Sequence, residues 1–166
     1  MEIVNTLFDK ALILRQRINN DVRGSMNSLY NEKELSELLD GFIIRNLRSY
    51  SMPKAGTFFG IHYQDGNAPM NKLITVICGQ GKDYIIDLRR SSPTYLEWEQ
   101  TELSAENGYS VYVPHGFGHA FISTADDTIQ IFAADAYGGA GVSKQLNYRE
   151  PAIGLVLPIP VTHISD

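Results

Sequence analysis

The chain has 166 residues, 43% of them hydrophobic and 20% charged, and a formal net charge of −5. That length fits one domain over 1–166 with a substantial core, and the acidic balance argues against nucleic acid or an anionic membrane as partner, though a local Arg/Lys cluster can still hold a small anion. No apolar run is long enough to span a bilayer, MEIVNTLFDK lacks the charge and hydropathy pattern of a signal peptide, and the lone Cys78 closes no internal disulfide, so the expected setting is cytoplasmic.

No repeat, low-complexity tract or linker interrupts the chain. In chain order, the first strong signal is a helix at NEKELSELLDG: Asn31 is placed to cap it, Glu34 falls at the capping-box position, Leu35, Leu38 and Leu39 repeat at helical spacing, and Gly41 ends it. After residue 41 the pattern changes to short β-type runs: TFFGIHY, KLITVIC, DYIIDLR, YLEWEQTEL, YSVYVP, HAFIST and TIQIFAA. QDGNAPMN, GQG, RSSP, SAENG and TADD separate them, with GQG read as a hairpin turn. Strands this short and regular predict a mainly β sandwich or barrel of jelly-roll type, whose interior is a natural ligand site.

Strict alternation would place Phe58, Gly60, His62 and Gln64 on one face of their strand. The same rule groups Lys72 with Ile74 and Val76, Asp83 with Ile85 and Asp87, His119 with Phe121, and Gln130 with Phe132. An imidazole titrates near neutrality and suits proton transfer, and an inward lysine would stabilise developing negative charge. The bland readings are a core histidine and a solvated lysine; the pairing of His62 with Lys72 and His119 favours the functional one. His115 and His119 lie four apart in a strand context, which matches no zinc motif, and His115 is expected in a turn; a metal-dependent cupin remains the alternative. Cys78 reads as a small core residue, and neither a nucleophile elbow nor a phosphate loop is present.

The motifs DVRG (21–24), GIHYQ (60–64), KL (72–73), DLRRSSPTY (87–95), LSAENG (103–108), VPHGFGHAF (113–121) and EPAIG (150–154) occur in one order. As a series, from about residue 11 to residue 160, they resemble the dTDP-4-dehydrorhamnose 3,5-epimerase family, a cupin-type jelly roll. The resemblance implies epimerisation of a 4-keto-6-deoxy nucleotide sugar through an enolate, without metal or organic cofactor. By the same resemblance His62 is the base, Lys72 the enolate partner, and Glu150 the carboxylate that polarises the base, one methylene longer than the usual aspartate. Asp83 and His119 match a second polar pair in the pocket, and Arg23 matches an arginine of the nucleotide-diphosphate region. A homodimer built by exchange of N-terminal strands is also implied, with ALIL (11–14) as the candidate strand.

The chain departs from the family at several of these places. Phe59 replaces an arginine and Phe132 the tyrosine acid, with Ala133 after it; Tyr137 is the phenol in a shifted alignment. Met26 and Ser28 stand where thymine-holding residues are usual, and Tyr148 and Leu157 replace tryptophans. These changes imply another base, or inversion at one carbon only. A catalytically silent sugar-nucleotide-binding homologue is the alternative from another class.

Overall fold

The computed structural model describes residues 1–64, 69–137 and 143–165. Its strands are β1 (Glu2–Leu7), β2 (Ala11–Arg15), β3 (Ile18–Asp21), β4 (Gly24–Asn27), β5 (Asn46–Met52), β6 (Thr57–Gln64) and β7 (Lys72–Cys78). There follow β8 (Gln80–Asp87), β9 (Trp98–Ser104), β10 (Tyr109–Val113), β11 (Phe117–Ser123), β12 (Thr128–Ala134), β13 (Ser143–Leu146) and β14 (His163–Ile164). One sheet has the order β1-β2-β10-β7-β12-β5; the second runs β13-β6-β11-β8-β9 with β14 beside β6, and β3 and β4 form a separate hairpin. This is the expected jelly roll, mainly β, and no described helix is long and apolar enough to cross a membrane.

Helix α1 (Glu32–Leu38) forms where the capping pattern placed it. The Asn31 side chain accepts from the Glu34 N–H at 3.1 Å, and Gly41 follows at φ +82°. The Glu34 carboxylate pairs with the N-terminal ammonium. Leu35, Leu39 and Phe42 pack on Leu14, Leu73 and Tyr112, covering the outer face of the first sheet. Each such side chain contributes about 1.5–3 kcal/mol by leaving water. Outside the second sheet, Ile153, Leu155, Leu157, Ile159 and Val161 form a strap over Phe58, Ile61, Tyr84, Ile86 and Ile122. Tyr84 Oη and Trp98 Nε1 donate to the Val156 and Ile153 carbonyls, each at 3.1 Å, and fix the strap. Both sheets are therefore covered outside as well as inside, which is why KLITVIC and DYIID read as nearly unbroken apolar runs.

Between the sheets, Ile13, Ile74, Val76, Ile85, Val111, Phe117 and Phe121 close one end of the barrel as a solid core. The other end, bounded by β5, β6 and β12, stays open as a cavity. The DLRRSSPTY segment is architectural. Asp87 is fully buried and accepts from Arg89, Ser92 and Thr94. Burial alone would raise its pKa, but those donors outweigh burial and hold the carboxyl well below the usual range.

Two expectations change. GQG is not itself the turn: Gly79 turns at φ +72° and β8 already begins at Gln80. A Cβ on Gly79 would lie 2.8 Å from the Thr128 main chain, so close approach adds to the demand for glycine. Cys78 is exposed at the end of β7, just before that turn, rather than a core residue. ALIL forms strand β2 as expected, hydrogen-bonded within the chain to β1 on one side and β10 on the other. Residues 65–68 of the QDGNAPMN connection lie outside the described residues.

Candidate active site

The largest correction concerns β6. His119 pairs with His62, and Phe121 with Phe59, so Gly60 and Ile61 together oppose the single residue Ala120. This is a β-bulge, and one extra residue shifts the phase of every side chain beyond it. Phe58 and Ile61 consequently pack outward under the strap, while Phe59, His62 and Gln64 face the cavity. The alternation set that joined Phe58 and Gly60 to His62 is broken at that point.

The bulge also orients the His62 ring. The Gly60 carbonyl lies 2.6 Å from His62 Nδ1. A carbonyl only accepts, so Nδ1 carries the proton and the neutral ring is left with a lone pair on Nε2. That lone pair accepts from the Gln145 side-chain amide at 2.7 Å, where β13 places Gln145 directly opposite His62. Burial pushes the His62 pKa below its ordinary value; the Gly60 bond opposes this, and His119 and Lys72 add to it. His62 is thus neutral at neutral pH and able to take a proton.

The cavity measures about 430 Å³ and has two walls. The second sheet contributes Phe59, His62, Gln64 and His119; the first contributes Lys72, Gln130 and Phe132 together with Asn46, Arg48 and Tyr50 from β5. Lys72 is only 4% exposed. Burial lowers its pKa to about 8, against a smaller opposing pull from Asp83. Its Nζ lies 6.0 Å from the centre of the Phe132 ring, at the outer reach of a cation–π contact. Among the described residues the ammonium makes no hydrogen bond, which leaves its protons free for a ligand. Behind the wall, Asp83 Oδ2 and His119 Nε2 are 2.6 Å apart. Burial pushes the Asp83 carboxyl up, while His119 and Lys72 pull it down. Asp83 does not line the cavity but fixes His119, which does. Among the described residues, Gln64 Oε1 and Gln130 Nε2 are buried without partners, polar atoms facing a space that a polar ligand would fill.

Residues 5–166 match the family model described as dTDP-4-dehydrorhamnose 3,5-epimerase. The chain belongs to that family. It is 28% identical to the Salmonella typhimurium dTDP-4-dehydrorhamnose 3,5-epimerase over 95% of this chain and 86% of that one. It is 32% identical to the Sinorhizobium fredii enzyme of the same name over 92% of this chain and 78% of that one. A crystal structure of the Bacillus anthracis dTDP-4-dehydrorhamnose 3,5-epimerase with TDP and PPi bound superposes with a TM-score of 0.93 at 30% identity, covering 99% of this chain and 94% of the other. The Legionella pneumophila dTDP-6-deoxy-D-glucose-3,5-epimerase, solved with dTDP-4-keto-L-rhamnose, gives 0.90 at 26% identity, covering 99% and 86%.

Against the family pattern, several residues sit elsewhere than expected. Glu150 makes no contact with His62 among the described residues. It is exposed, its Oε1 accepts from the Ala152 N–H at 3.4 Å within its own turn, and the Gly60 carbonyl takes the place at His62 Nδ1. Tyr137 is 71% exposed and lies outside the cavity; only its main-chain carbonyl turns toward the site, accepting from Asn46 Nδ2 at 2.9 Å. Phe132 and Phe59 both line the cavity, as expected of their positions. Arg23 and Met26 border a separate hollow on the β3–β4 hairpin, Ser28 is exposed just beyond it, and Arg23 pairs with Asp21. His115 stands in the turn before β11 and lines neither hollow. Among the described residues no three His, Cys, Asp or Glu side chains form a metal-ligand group.

Sequence reasoning missed Asn46, Arg48, Tyr50 and Gln145. The first three alternate on β5, but with polar residues on the cavity face the spacing carries no hydropathy alternation to mark it.

Proposed function

We propose that the chain epimerises a 4-keto-6-deoxy nucleotide sugar by proton abstraction next to the ketone, at one carbon. One observation carries this reading: the unprotonated Nε2 of His62 and the buried ammonium of Lys72 meet in a single cavity. As substrate enters, the Gln145 amide gives up its bond to Nε2. His62 then takes the proton; the C–H electron pair becomes the new carbon–carbon π bond, and the ketone π pair moves onto oxygen. Lys72 stabilises that oxyanion where water is excluded. The side chain of Phe132, hydrocarbon where a tyrosine acid is usual, restricts the chemistry on the opposite face and favours a single inverted centre.

The diphosphate needs a cation that Phe59 does not supply. Arg48, at the cavity rim with no ion pair among the described residues, is placed to supply it. Met26 and Ser28 on an exposed hairpin favour a base other than thymine. The test is exchange of a substrate C–H for deuterium in heavy water, using dTDP-, UDP-, GDP- and CDP-linked 4-keto-6-deoxyhexoses. One of these should exchange, and His62→Ala should slow it by about 1,000-fold. Binding of a nucleotide sugar without exchange would identify a silent homologue, the reading that Phe132 most favours.

A further inference from the structure

Inversion requires a proton donor on the face of the enolate opposite the base, and Phe132 has no proton to give. We propose that Tyr50 is that donor, its phenol having taken over from the neighbouring strand. This rests on the function proposed above and names the second proton-transfer group of the same site.

The placement of Tyr50 supports the assignment. It stands on β5 opposite Gln130 of β12, while Arg48 stands opposite Phe132. Its ring meets Phe132 edge-on, with centroids 6.2 Å apart, and leans on Phe59 from the other sheet at 4.8 Å. The ring is thus held between the two aromatics that depart from the family pattern. Its hydroxyl makes no hydrogen bond among the described residues. His62 belongs to β6 on one sheet and Tyr50 to β5 on the other, so a sugar lying between the sheets meets imidazole on one face and phenol on the other.

The other cavity donors serve this role less well. Guanidinium and carboxamide groups hold their protons too tightly to protonate a carbanion at neutral pH, and the aliphatic hydroxyls of Ser143 and Ser165 are far weaker acids than a phenol. The Lys72 ammonium stands on the same wall as Tyr50 and is acidic enough, but in the proposed reaction it is engaged at the enolate oxygen rather than over the carbon. In the assigned step the Tyr50 O–H proton passes to the carbon and its bonding pair stays on the phenolate oxygen. The enolate π pair forms the new C–H bond as the ketone is restored. The imidazolium then loses its proton to solvent, and the phenolate regains one.

The test separates the two half-reactions, using whole protein and dTDP-4-keto-6-deoxyglucose or whichever sugar of the panel exchanges, in heavy water. The unaltered protein should give an inverted product carrying deuterium. Tyr50→Phe keeps the ring contacts and the base. It should still wash deuterium into recovered substrate of unchanged configuration, within about 3-fold of the normal rate, while inverted product falls by roughly 100-fold. Adding Phe132→Tyr to Tyr50→Phe should restore inverted product. Inverted product at the normal rate from Tyr50→Phe would overturn the assignment and point to Lys72 or water, whereas loss of exchange and product together would mean a structural role. No exchange by the unaltered protein with any sugar of the panel would instead remove the epimerase reading itself.

Discussion

The two walls of the cavity differ in how closely they keep the family's pattern. On the second sheet, His62, the proposed base, and the His119–Asp83 pair match the family's motifs, and all are fixed by short hydrogen bonds. On the first sheet only Lys72 is kept. Phe132 has lost the hydroxyl of the family's acid, and Arg48 and Tyr50 on the edge strand β5 bring a cation and a phenol to the same space. Proton abstraction demands one lone pair at one angle, which a buried hydrogen-bonded wall preserves. Reprotonation and phosphate binding are met by any suitable donor within reach, and an edge strand open to the cavity can change its donors without disturbing the core.

Lys72→Met is the substitution expected to act most strongly on that division, because it removes the one kept group of the first wall. Exchange should fall by roughly 100–1,000-fold, as for loss of an oxyanion donor. Stability should move the other way. The folded chain holds Lys72 near pKa 8 against an ordinary 10.5, so below about pH 8 its buried charge costs the fold on the order of 3 kcal/mol. Between those two values the unfolded chain binds more protons than the folded one, so stability rises with pH until the deficit is gone. Chemical denaturation should find Lys72→Met more stable than the parent at pH 7, by about 1–3 kcal/mol, and the gap should close by about pH 10.5. For the parent, exchange should decline as pH passes 8, where the ammonium is lost, and on the acid side only below the ordinary histidine range. A Lys72→Met variant that exchanges normally would leave the first wall with no kept function.

Arg48→Ala probes the rebuilt part of the same wall and should act on binding more than on chemistry. An exposed guanidinium facing a diphosphate contributes about 1.4 kcal/mol, so KM should rise about 10-fold with kcat within about 2-fold, and the difference should shrink at high salt. Were kcat to fall with KM unchanged, Arg48 would belong to the proton-transfer chemistry and the contrast between the walls would be drawn in the wrong place.

The sequence was most legible where a strand is apolar and bounded by turns, and least legible along β5. KLITVIC and TIQIFAA match β7 and β12 residue for residue, since an apolar strand bounded by turns admits few readings. NLRSYSM gave no strand signal, because one face of β5 looks into a polar cavity and the other outward, and neither needs apolar side chains. Tyr50 and Arg48 went unnoticed for that reason. In β6 the strand itself was evident, but a bulge inserts a residue without changing composition, so the grouping of Phe58 with His62 failed by one position while His62 was correctly singled out. Glu150 matched its motif, yet sequence register alone could not show that its turn leaves the carboxylate in water.

The smallest effect is expected at Glu150, and it tests how the first half-reaction is set up. In a carboxylate–imidazole pair the anion raises the basicity of the ring and stabilises the imidazolium as it forms. Here Nδ1 donates to the Gly60 carbonyl, a neutral acceptor that fixes the tautomer but supplies no charge. A base of this kind is oriented more than it is activated, in keeping with its lowered pKa. Glu150→Gln keeps an oxygen acceptor for the Ala152 N–H and should change exchange by less than about 2-fold and stability by less than about 0.5 kcal/mol. Gly60 cannot be tested by side-chain removal, so the contrast rests on Glu150. A loss of more than about 10-fold in exchange, with the acid limb of the pH profile displaced, would mean that the carboxylate swings onto His62 when substrate is bound and that a charged partner, not the bulge, sets the strength of the base.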